Sequence, residues 1–74
     1  MSPRVINFES EPLARLGEIL EKNGKIDESM KVLKLSLEIE PDKSRALIAY
    51  SKCLISKKEY SEAKTILEKL LKSE

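Results

Sequence analysis

Residues 13–41 read LARLGEILEKNGKIDESMKVLKLSLEIEP, and this stretch decides the fold. Leu13, Leu16, Ile19 and Leu20 recur at the spacing of one apolar face of a helix. Asn23-Gly24 stops that helix, because glycine takes the left-handed terminal conformation without steric cost. Met30, Leu33 and Leu37, with Val32, Leu35 and Ile39 beside them, make a second helix apolar over a wide arc. Asp27 and Glu28 sit in its first turn, where negative charge suits the helix dipole, and Pro41 ends it. Two helices joined by so short a turn are antiparallel neighbours.

Upstream, Ser10 is the expected N-cap, and Pro12 fits a first turn, where backbone donors are unpaired anyway. Residues 1–9, with Pro3 and the alternation Val5-Ile6-Asn7-Phe8, are expected to form an extended leader. Downstream, Asp42 is the expected cap of a third helix carrying Ala46, Leu47, Ala49, Tyr50, Cys53 and Leu54. Lys57-Lys58-Glu59 makes a connection without glycine. A fourth helix follows from about Ser61 to Lys72, with Ala63, Ile66, Leu67, Leu70 and Leu71.

The chain also matches itself at a shift of about 34 residues, a known helix-turn-helix repeat length. Leu13 falls on Leu47, Leu16 on Tyr50, Leu20 on Leu54, Ile26 on Tyr60, Leu33 on Leu67 and Leu37 on Leu71. Of the 12 apolar residues within 10–40, 9 land on another apolar residue, where a composition of 41% would give about five. The expected architecture is all-α: two stacked helix-turn-helix hairpins of four antiparallel helices. It is a single domain over 10–74, made of repeats 10–41 and 42–74, behind the extended leader 1–9.

These positions resemble the tetratricopeptide repeat (TPR) family. The first repeat offers Leu13, Leu16-Gly17, Leu20, Gly24, Ile26, Ser29, Leu33, Ser36 and Pro41 at the family's large, small and turn positions. The second offers Leu47, Tyr50-Ser51, Leu54, Tyr60, Ala63 and Leu67. It departs at Lys58, where the turn glycine is expected, and at Leu70, where a small residue is expected. The small residues let helix backbones approach, and the large ones fill the gaps between them. The resemblance implies an α-solenoid fragment, a non-enzymatic protein–protein interaction module. A concave surface lined by the first helix of each repeat would hold a peptide or a partner helix. Carried over by position, that groove is Glu11, Ala14, Glu18, Glu21 and Lys22 from repeat one, with Arg45, Ile48, Ala49, Lys52, Ile55 and Ser56 from repeat two. Some members grip a C-terminal carboxylate with Lys, Asn and Arg on these helices. Ala14, Glu18 and Ala49 stand at such places here, which argues against that clamp. Charge reversal at Arg45 and Lys52 is expected to weaken an acidic ligand and leave folding nearly unchanged.

Composition narrows the function further. The 74 residues hold no His, no Trp and one Cys, so general acid–base and paired-thiol chemistry lack their usual groups. No catalytic residue, cofactor or metal is expected, and Cys53 reads as a buried thiol on an apolar stripe. Net charge is +1 and aromatics are 4%, so no nucleic-acid partner is expected, and Tyr50 and Tyr60 read as core. No window reads as a membrane span, and the lone thiol points to the cytoplasm. Residues 10–41 carry seven acids and five bases, whereas 42–74 carry five acids and eight bases, a mild end-to-end dipole.

Repeat arrays usually need about three repeats with polar ends. The apolar end built from Ile66, Leu67, Leu70 and Leu71 is therefore expected to be covered by another copy or by a partner, with a homodimer favoured. Val5, Ile6 and Phe8 are expected to join that contact or to cover the other end. Two alternatives stay open: a self-assembling structural unit, and a piece of a longer repeat array with no ligand of its own.

Overall fold

The computed structural model describes the backbone of residues 4–72 and the side chains of residues 10–72. Four helices follow in order: α1 (Arg4–Lys22), α2 (Ile26–Ile39), α3 (Ser44–Ser56) and α4 (Tyr60–Lys72). Consecutive helices form two hairpins. Helix α3 packs on both α1 and α2, whereas among the described residues α4 packs on α3 alone. The result is a flat, all-α body of 42 × 29 × 14 Å.

The two hairpin turns share one geometry. Gly24 has φ +81°, with its N–H on the Glu21 carbonyl (3.0 Å) and the Lys25 N–H on Leu20 (2.9 Å). One repeat later, Lys58 has φ +63°, its N–H meets Ile55 (2.9 Å), and the Glu59 N–H meets Leu54 (2.8 Å). Each pair of bonds satisfies the last carbonyls of a helix. A lysine therefore holds a backbone conformation that costs L-residues about 1–2 kcal/mol and costs glycine nothing. Lys58→Gly is expected to raise the urea unfolding midpoint, by about 1 kcal/mol of stability. A lower midpoint would show that the lysine stem contributes more than the strain removes.

Leu33 and Leu54 are the largest fully buried side chains, surrounded by Ala14, Ala46, Ala49, Cys53, Ala63 and Tyr50. So many alanines let the helices approach closely. Gly17 makes one such close approach possible, since a Cβ there would collide with the Leu33 side chain. Buried serines add polar ties. The Cys53 thiol donates to Ser29 Oγ (3.3 Å), and Ser29 Oγ donates to the Gly17 carbonyl (2.6 Å), linking α3, α2 and α1 in one chain of bonds. Ser36 Oγ donates to the Ser10 carbonyl (2.9 Å). No buried side-chain N or O atom among the described residues lacks a partner.

Three sequence expectations change. Residues 4–9 are helical rather than extended, and Ser10 lies inside α1, buried, with its hydroxyl donating to Glu40 (2.9 Å). Pro12 thus sits in a helix interior. Ser36 of α2 and Glu40 tie Ser10, two residues before it, to the second helix of the hairpin. Asp42 does not cap α3, whose N-cap is Lys43, with no side-chain capping bond. Tyr60 is exposed, unlike the buried Tyr50.

Candidate functional site

The expected groove splits into a closed half and an open half. On α1, Ala14 is fully buried in the core, Glu21 is half-buried and Lys22 is exposed. Ala49, on α3, is also core. Glu11, Glu18 and Arg45 come together: Arg45 Nη1 bonds Glu18 Oε1 at 3.0 Å, and its Nε lies 3.5 Å from Glu11 Oε2. Glu11 also receives Arg15 (2.7 Å) and Lys43. These charges tie the second repeat to the first. Arg45 is accordingly not the free cation that the sequence indicated, and reversing it would set a carboxylate against two others.

Hydrogen bonds from Lys43 and then Arg15 hold the Glu11 carboxyl below the usual carboxylate range. Lys57, 2.7 Å from Asp27, does the same for Asp27, and its own ammonium is raised in return. A depressed folded-state pKa adds stability above the unfolded-state value and loses it as pH falls through the folded one. The urea midpoint is therefore expected to fall on acidification below the ordinary carboxylate range. Glu11→Gln should flatten that fall. An unchanged slope would mean that the pairs are broken in solution. The Lys57–Asp27 pair is exposed and those of Glu11 are partly exposed, so added salt should weaken them, the first more than the others.

The open half lies on α3 and continues onto α4. Ile48, Lys52, Ile55 and Ser56 are exposed on α3. Ile55 lines a groove of about 390 Å³ with Tyr60, Ala63, Lys64, Leu67, Glu68 and Leu71. Of the expected self-association residues, Leu67 and Leu71 are exposed and line this groove, Leu71 being 74% exposed. Ile66 is half-buried against the core, and Leu70 is half-buried. The side chains of Val5, Ile6 and Phe8 lie outside the described residues. Sequence reading missed Tyr60, Lys64 and Glu68. The 34-residue self-match held the signal, because it maps each groove residue onto a counterpart in the first hairpin.

That mapping gives the groove its meaning. Its counterparts in the first hairpin are Glu21, Ile26, Ser29, Met30, Leu33, Lys34 and Leu37. There the position is occupied: Ser29 and Leu33 are fully buried, and Ile26, Met30 and Leu37 pack against the core that α3 completes. Ile48 is the counterpart of the buried Ala14. A second depression of about 480 Å³, lined by Asp27, Met30, Lys31, Lys34, Lys57 and Glu59, is charged, and the Lys57–Asp27 pair lies within it. Cys53 is buried, and burial pushes its thiol up, away from the reactive thiolate. Among the described residues no group of three or more acids, histidines or cysteines is placed to hold a metal ion, and no helix is long and apolar enough to cross a membrane.

A tetratricopeptide repeat family model matches residues 20–74, from the end of α1 through α4. The chain belongs to the tetratricopeptide repeat family, whose members are in general non-catalytic modules of protein–protein interaction. No curated protein and no solved structure matches the chain.

Proposed function

We propose that the chain holds an amphipathic helix, or a peptide that becomes helical on binding, along the flank made by α3 and α4. One observation carries this reading. The same seat exists twice in the molecule, and in the first hairpin a helix fills it. In the second hairpin Ile48, Ile55, Tyr60, Leu67 and Leu71 stay exposed. Apolar anchors in a groove with a polar surround suit helix-in-groove recognition. Lys52 on α3 is an exposed cation at one edge of the strip, while Lys64 and Glu68 share the α4 edge, so the bound helix carries acids on the edge that faces α3. Glu11, Ala14, Glu18, Glu21 and Arg45 serve this site from behind, as the internal joint that sets α3 in place. The lone buried thiol suits a reducing compartment such as the cytoplasm.

A displayed library of helical peptides selected on the intact chain tests the proposal. Amphipathic sequences with an apolar inserted face and acids beside it are expected. Their binding should be lost in Ile48→Glu and Leu67→Glu. Selection of no helix, or of binders indifferent to both changes, would overturn it.

A further inference from the structure

We infer that the helix taken by this flank is α1 of a second copy of the chain, in a head-to-tail stack; this names the occupant of the seat described above and rests on that reading. Helix α3 fills the first seat with the buried face Ala46, Ala49, Tyr50 and Cys53. One repeat earlier the same face of α1 carries Pro12, Arg15, Leu16 and Ile19. None of these is buried, and Leu16 and Ile19 are 46% and 55% exposed. Of the eight exposed large hydrophobics among the described residues, Ile55, Tyr60, Leu67 and Leu71 line the groove, Ile48 lies on the same face of α3 as Ile55, and Leu16 and Ile19 lie on this unseated face. Only Leu35 belongs to neither. Among the described residues helices α1 and α4 do not touch within one molecule, so this seat and this face meet between copies.

Charge supports the same docking. Within the molecule, Arg45 of α3 reaches Glu18 and Glu11 of α1. Moved on by one repeat, Glu11 of the second copy takes the place of Arg45, and Lys52 takes the place of Glu18. The signs exchange and the attraction is kept. Lys52 is exposed and has no ion pair among the described residues. Arg15 sets the strength. It stands where the seated helix has Ala49, which is 1% exposed, and a long charged side chain there holds the contact weak. Such a contact is heterologous, so it grows with concentration instead of closing as a two-fold dimer.

Sedimentation equilibrium over a concentration series tests this on the intact chain. The wild type is expected to show an average mass that keeps rising past a dimer. Ile19→Glu and Leu67→Glu should each stay monomeric, yet their equimolar mixture should form a one-to-one dimer, since each retains one intact surface. Arg15→Ala should move association to about tenfold lower concentration. Circular dichroism confirms that the variants are folded, and Leu71→Glu, at an exposed groove position, replaces Leu67→Glu if that variant is not. A wild type monomeric to about 1 mM, the weak end of specific association, overturns the inference. So does an Ile19→Glu variant that still associates, or a mixture that stays monomeric. If selected peptides nevertheless bind and respond to Leu67→Glu, the seat stands and only its occupant is wrong.

Discussion

Leu33→Ala is expected to leave the protein largely unfolded at room temperature. Leu33 is fully buried where α1, α2 and α3 meet, and truncations of this kind cost about 2–5 kcal/mol. A domain of this length sits near the low end of the usual 5–15 kcal/mol of stability, so the loss takes most of it. Urea unfolding followed by circular dichroism measures the change. Cys53 provides a second probe, because its thiol is buried and held protonated in the native state and labels through opening. Wild-type labelling should be slow, and the variant should label at close to the rate of a free thiol. Native-like protection of Cys53 in Leu33→Ala would show that the three helices meet without this side chain.

Gly17→Val should be nearly as damaging, for the opposite reason. An exposed helical glycine normally gains about 0.5–1 kcal/mol when a side chain is added. At Gly17 the first added carbon collides with Leu33, which cannot retreat because it is itself enclosed. Overpacking costs about 1–3 kcal/mol, and the valine must also push α2 off the 2.6 Å bond from Ser29 to the Gly17 carbonyl. The two predictions are coupled. Gly17→Val combined with Leu33→Ala fills the cavity with the side chain that caused the collision, so the double variant should be more stable than the sum of the singles. Additive losses would place the two residues out of contact.

The hairpins were legible because their signals are local. Asn23-Gly24 and Pro41 mark turns, and the spacing of Leu13, Leu20, Leu33 and Leu37 marks buried faces. The small residues Gly17, Ser29 and Ser36 marked the close approach of α1 and α2. What failed depended on partners distant in sequence. Pro12 reads locally as a first turn, whereas α1 begins at Arg4 and Ser10 within it is tied to Ser36 and Glu40, partners far along the chain. Lys58 carries no turn signal, yet the α3–α4 hairpin imposes the conformation of Gly24 on it. Arg45 looks like a free surface charge until the fold sets α3 beside α1. The α4 groove was half legible: Leu67 and Leu71 were expected at an open end, while Tyr60 was assigned to the core.

Among the described residues helix α4 rests on a single neighbour, so opening is graded along the chain. Its detachment exposes one interface, whereas freeing α2 or α3 dismantles the shared core. Amide hydrogen exchange should therefore show α4 losing its protons in an early, separate step, with the other helices following only on complete unfolding. Any molecule lodged against the far side of α4 would give that helix a second support, and the early step should then merge into the later one.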